Sequence, residues 1–81
     1  MDIRLHILSP EGTVDSVTVS RVALPGVVGP FVVLKDHAPL VTALSEGEIV
    51  YGDGAEDKRL AIKGGFVEVL QNQVTACVEL S

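Results

Sequence analysis

"GGFVEVLQNQVTACVEL", residues 64–80, decides the fold. Its second half alternates without a break: Val74, Ala76, Val78 and Leu80 point one way, and Thr75, Cys77 and Glu79 the other. Successive side chains of a strand take opposite faces, so this is one two-faced strand of an antiparallel sheet. The first half breaks that rule, because in "GFVEVL" (65–70) apolar residues occupy both parities. Between the halves stand the turn residues "QNQ" (71–73), and Gly64-Gly65 permits a positive φ or a close approach between strand backbones.

The same signs extend outward. Ile3, Leu5 and Ile7 oppose Arg4 and His6; Leu60 and Ile62 oppose Arg59 and Lys63. In "DSVTVSRVALPG" (15–26) the apolar parity switches from Val17 and Val19 to Val22 and Leu24, which predicts a bulge or strand break near Ser20–Arg21. Turn signals recur at "SPEG" (9–12), "LPG" (24–26), "VGP" (28–30), "SEGE" (45–48) and "GDGAED" (52–57), where Asp53-Gly54 reads as a two-residue hairpin turn. No window of 12 or more residues carries a helical period, and "HAPL" (37–40) offers one turn of helix at most, limited by Pro39. The expectation is one all-β domain, residues 1–81, a sandwich or barrel.

Eighty-one residues bury a thin core, yet 47% of them are hydrophobic and the mean hydropathy is +0.41. "PFVVL" (30–34), like "GFVEVL", is apolar on both faces. One reading buries such strands under a loop. The other leaves an outer sheet face for a second protein, and the excess of apolar residues favours it. The stretch "LPGVVGPFVVLKDHAPLVTAL" (24–44) concentrates three of the four prolines with only two formal charges, Lys35 and Asp36.

Net charge is −5, and the six basic residues are scattered, which argues against nucleic acid. Cys77 is the single cysteine, so no intrachain disulfide forms and a reducing compartment fits. No signal-peptide pattern and no run of about 18 apolar residues appears, so the reading is of a soluble chain without membrane insertion.

Chemistry finds little support. His6, His37, Ser9, Asp36 and Cys77 are the available catalytic types, but no nucleophile elbow accompanies them. Two histidines 31 positions apart form no metal-ligand cluster, and the glycine pairs lack the features of a phosphate loop. "EDKRL" (56–60) resembles the hairpin tip of lipoyl and biotinyl carrier domains with Lys58 as the modified residue. The fold's quasi-repeated halves are missing, Lys58 follows rather than occupies the Asp-Gly turn, and a solvated hairpin explains the charges better.

"LPGVVGPFVVLKDHAPLVTAL", then "GEIVY", then "GGFVEVLQNQVTACVEL", with "LHILSPEGTV" at the start, together resemble the N-terminal domain of F-type ATP synthase epsilon subunits over nearly the whole chain. The resemblance implies a flattened β-sandwich of two five-stranded, mostly antiparallel sheets. It implies a non-catalytic, cofactor-free rotor part that docks on the gamma subunit and on the polar loops of the c-ring. Such a part couples ion-driven rotation to ATP synthesis, peripherally, at the cytoplasmic face of a bacterial inner membrane. Residue by residue, it places Ser9, His37, Thr42, Phe66 and Val67 at the gamma interface, with His37 read equally as a structural histidine bonded to a backbone carbonyl. It places the loop Gly26, Val27, Val28, Gly29, Pro30 and Phe31 towards the c-ring.

This chain departs from the family pattern at three places. Pro30 stands where many members have a carboxylate or amide, Val32 replaces a usual glycine, and Lys35-Asp36 replaces a usual Pro-Gly. Ring contact must then lean on shape, backbone or Asp36. The family usually continues into a C-terminal helical hairpin, whereas this sequence stops at "VELS", as a truncated or a naturally short form would. The expectation is therefore no nucleotide site and no inhibitory insertion by these residues.

Overall fold

The computed structural model describes residues 2–81 and folds them into eight strands: β1 (Ile3–Ser9), β2 (Gly12–Val19), β3 (Arg21–Pro25), β4 (Pro30–Leu34), β5 (Leu40–Leu44), β6 (Gly47–Gly52), β7 (Lys58–Leu70) and β8 (Gln73–Leu80). They hydrogen-bond in the order β2-β1-β8-β7-β6-β3-β4, with β5 also on β7. All pairings are antiparallel except β1 with β8.

The 13-residue β7 organises the sandwich. Its first part, Lys58–Ile62, pairs with β6, and its second, Gly65–Val69, pairs with β5. Its register against β8 slips between Ile62 and Gly64, at the glycine pair, where Gly65 takes φ 147°. One strand thereby serves two layers, β2-β1-β8-β7-β5 and β7-β6-β3-β4. The second layer has four strands rather than the five expected. Where a further pairing could have formed, the chain after Pro25 makes only a short contact with the end of β5. This is an isolated bridge from Gly26 to Leu44, with Ser45 N–H donating to the Pro25 carbonyl at 2.7 Å.

The alternation read from sequence lines the core. Ile3, Leu5, Ile7, Val22, Leu24, Ile49, Ile62, Val67, Val69, Val74 and Ala76 are essentially inaccessible. Leu80 shares the parity of Val78 but lies at the open end of β8, 37% exposed. The parity switch falls at Ser20, between β2 and β3, whose N–H and hydroxyl both donate to the Gly52 carbonyl at 3.0 and 3.2 Å.

Two local expectations are corrected. Residues 37–39 form no helical turn: Pro39 supplies no N–H and biases Ala38 towards extended backbone, while Asp36 (φ 65°) has already reversed the chain. Asp53-Gly54 is not a two-residue hairpin turn. The loop runs from Asp53 to Asp57, because the two aspartate side chains accept from its own amides, Gly54 N–H to Asp57 at 2.9 Å and Ala55 N–H to Asp53 at 3.0 Å. Two-residue turns stand instead at Pro10–Glu11 and at Gln71–Asn72, the latter pair both at positive φ.

Candidate partner-binding surfaces

Apart from the exposed Val32 and Leu34 of β4, two uncovered apolar surfaces stand out among the described residues. The first is the outer face of the five-stranded layer. Register aligns Ala43 with Phe66, Phe66 with Cys77, and Cys77 with Leu8, so four uncharged side chains form one row across β5, β7, β8 and β1. Phe66 is 54% exposed, while Leu8 and Cys77 are half-buried. Together with Ser9, Pro10 and Glu79 they border a shallow depression of about 480 Å³. Both-parity apolar residues in "GFVEVL" thus mean a core face (Val67, Val69) and an open face (Phe66, Leu70). The adjoining row is more polar, running through Val41, Glu68, Thr75 and His6 to Ser16. There His6 Nδ1 and Ser16 Oγ lie 3.0 Å apart, a cross-strand hydrogen bond.

The second surface is the tip between β3 and β4. Its backbone is pinned by Gly26 N–H to the Leu24 carbonyl (3.1 Å), Val27 N–H to the Ala43 carbonyl (3.1 Å) and Gly29 N–H to the Gly26 carbonyl (3.0 Å). Val28 stands 95% exposed at its apex and Val27 56%. Behind them a depression of about 360 Å³ is bordered by Gly26, Val28, Gly29, Pro30, Phe31, His37, Leu40 and Thr42.

The structure therefore divides the five residues expected at one interface. Ser9 and Phe66 share the first surface; the Ser9 hydroxyl lies 3.2 Å from a Glu11 carboxylate oxygen and 3.3 Å from the Gly12 carbonyl, bracing the β1–β2 turn. His37 and Thr42 sit beside the tip instead. His37 Nδ1 donates to the Ala38 carbonyl at 2.7 Å, a bond to a backbone carbonyl within its own segment. Val67 is fully buried: it follows Phe66 directly in a strand, so it must face the opposite way, and its side chain is closed to any partner. Within the 26–31 loop Gly26 is buried, Phe31 half-buried, and Val27, Val28, Gly29 and Pro30 are exposed. Leu8, Val41, Ala43 and Cys77 went unassigned in the sequence. Leu8 did carry a signal, since an apolar residue directly after Ile7 breaks the alternation of β1.

A third cluster closes the opposite side of the sandwich. The Tyr51 hydroxyl of β6 donates to Asp15 of β2 at 2.7 Å, and the Lys58 ammonium approaches the same carboxylate oxygen at 3.5 Å. The Tyr51 bond chiefly holds the Asp15 carboxyl below its usual range, assisted by Ser16 N–H and Lys58 against some desolvation. Burial, with the carboxylate beside it, pushes the Tyr51 phenol up to about 12. Lys58 opens β7 opposite Tyr51, outside the Asp53–Asp57 loop, rather than standing at the tip of a turn. The carrier reading thus loses its geometry.

Residues 2–80 match the family described as the ATP synthase delta/epsilon chain β-sandwich domain. The chain is 42% identical over 74 residues to the ATP synthase epsilon chain of Anaeromyxobacter sp. (strain Fw109-5), which covers 91% of this chain and 56% of that one. It is 40% identical over 79 residues to the epsilon chain of Desulfosudis oleivorans, covering 96% and 59%. It thus spans little more than half the length of these relatives. Among solved structures it superposes on a chain of the Euglena gracilis mitochondrial ATP synthase OSCP/F1/c-ring assembly with a TM-score of 0.88 at 21% identity, covering 95% of this chain and 50% of that one. A chain of the Tetrahymena thermophila mitochondrial ATP synthase central stalk/c-ring gives 0.79 at 16%, covering 98% and 64%. At such identities the two superpositions speak for the fold.

Proposed function

The chain belongs to the family of ATP synthase delta/epsilon chain β-sandwich domains, and from that premise we propose that it is the docking part of a central-stalk subunit in an F-type ATP synthase. In this reading the outer face of the five-stranded layer packs on the gamma subunit, and the 26–31 tip rests on the polar loops of the c-ring. The domain transmits rotation between them and performs no chemistry of its own. It works peripherally at the cytoplasmic face of a bacterial inner membrane. The observation that carries the reading is the row Ala43–Phe66–Cys77–Leu8, an apolar strip on a face that a free sandwich would give to polar side chains.

A stiff coupling element should lose little freedom on docking, and the row lies on paired strands rather than on loops. Calorimetric titration with the cognate gamma subunit tests this. We expect one-to-one binding, weakened at least tenfold by Phe66→Ser and by less than threefold by the His37→Ala/Thr42→Ala pair, whose side chains border the tip. Equal binding by Phe66→Ser would move the gamma interface elsewhere, and no binding by the unaltered chain would end the stalk reading.

A further inference from the structure

We infer that Glu68 fixes the charge of whatever covers the outer face of the five-stranded layer: the partner surface must present a basic side chain, lysine or arginine, set among apolar ones. This rests on the reading that the face docks on the gamma subunit, and it names the chemistry that gamma brings there.

Parity turns Phe66, Glu68 and Leu70 of β7 outwards, and register sets Val41 of β5 and Thr75 of β8 on either side of Glu68. Three of these four neighbours are large apolar side chains left open: Val41 is 69% exposed, Phe66 54% and Leu70 48%. A carboxylate amid such a patch keeps its water only while the patch is bare. The chain itself supplies no cation. The ion pairs among the described residues engage Asp57, Asp15 and Glu48 instead. Arg4 and His6 share this face but belong to β1, with β8 in between, so two strand spacings of roughly 10 Å separate their backbone from that of Glu68. His6 is already bonded to Ser16. Glu79, the other carboxylate that β7 and β8 place on this face, stands at its rim, opposite Gly64 where the register slips.

Covering the patch therefore sets two effects against each other. Burying Val41, Phe66 and Leu70 is the gain, but it strips water from the carboxylate they surround, and an ion buried without a partner is strongly unfavourable. A cation delivered by the covering surface removes the conflict and makes the same carboxylate a test of the right partner. The face has room for one. Leu70, Gln71, Gln73 and Thr75 border with Glu68 a depression of about 160 Å³. A basic head entering it meets the carboxylate among uncharged polar groups, while its methylene stem is suited to pack on Leu70. A second copy of this chain fits less well, since each copy brings a net charge of −5 to the contact.

The test titrates this chain with the cognate gamma subunit by calorimetry, comparing Glu68→Gln, Glu68→Lys and Glu56→Gln. Glu56 is an exposed carboxylate of the loop beside Tyr51 and Lys58, away from this face. We expect Glu68→Gln to weaken binding at least tenfold, Glu68→Lys at least a hundredfold and Glu56→Gln less than twofold. Both positions are exposed, so all three variants should keep the parent's thermal midpoint. Equal or tighter binding by Glu68→Gln, with Phe66→Ser still weakened, overturns the inference and leaves the stalk reading intact. Matching losses in Glu68→Gln and Glu56→Gln also overturn it, because they assign the effect to net charge rather than to a local pair. Sedimentation of the chain alone covers the remaining case: a dimer that Glu68→Gln dissolves would give the face to a second copy. No binding of gamma by the unaltered chain ends the stalk reading and the inference with it.

Discussion

At Gly65 the backbone takes φ 147°, and a Cβ there would collide with the Cys77 carbonyl oxygen and stand 2.8 Å from Val78 Cα. Any side chain must push β8 away at the point where β7 passes between layers. Gly65→Ala should cost about 3 kcal/mol or more, a large share of the stability of a domain this small. Gly64→Ala should cost about 1 kcal/mol, since the nearest atom to its Cβ is the Leu44 carbonyl oxygen at 3.3 Å. Urea unfolding of the two variants checks the contrast. Equal costs would mean that the doublet matters only for chain entropy. The sequence showed that this glycine pair was special without showing which member was. That depends on the register of β8, a partner whose alignment no local pattern reveals.

Between elements, the turn after β4 and the turn between β7 and β8 are joined by one reciprocal pair, Asp36 with Asn72. Asp36 holds a left-handed φ of 65°, a conformation that costs a non-glycine residue free energy unless its side chain is held locally. Asn72, itself left-handed, supplies that hold and also offers its carbonyl to Arg4 N–H at 2.9 Å. Asn72→Ala should therefore destabilise by about 1–2 kcal/mol, and by clearly less in an Asp36→Gly background, where the strain is gone. Additive costs in that double-mutant cycle would show that the two turns are independent. The strands themselves were legible because their signal is local: Ile3, Leu5 and Ile7, or Val74, Ala76 and Val78, announce a buried face by period alone. The turns were less so. "HAPL" read as a helical turn, but Pro39 and the reversal at Asp36, which Asn72 holds, keep it extended; "GDGAED" read as a two-residue hairpin, but side-chain bonds from Asp53 and Asp57 outweigh the dipeptide preference. The candidate site was half legible. Doubled parity in "GFVEVL" and "PFVVL" gave away exposed apolar faces, but assigning Phe66 and Val67 to one side contradicted the alternation that governs both.

For the molecule as a whole, the two layers are closed by side chains where the hydrogen-bonded sheet does not close them. Tyr51 on β6 and Asp15 on β2 form that clasp, and its electrostatics fix how stability depends on pH. The folded carboxyl of Asp15 titrates below its ordinary 3.8, so its contribution is complete above that value and fades as pH falls through the lowered one. The phenol of Tyr51 is raised from 10.0 to about 12, so its contribution is complete below pH 10 and is lost as pH rises towards 12. Stability should therefore hold a plateau between these limits as far as the clasp is concerned, with a loss on each side. Tyr51→Phe removes the hydroxyl but keeps the ring packed, and should lower the plateau by about 1.5 kcal/mol, the worth of a hydrogen bond to a charged group. It should also return the Asp15 titration, followed by NMR, towards 3.8 and abolish this residue's part of the alkaline loss between pH 10 and 12. If the variant instead keeps both the plateau and the acid limb of the parent, the layers are held by the core alone. The clasp would then be a contact without weight in the stability of the sandwich.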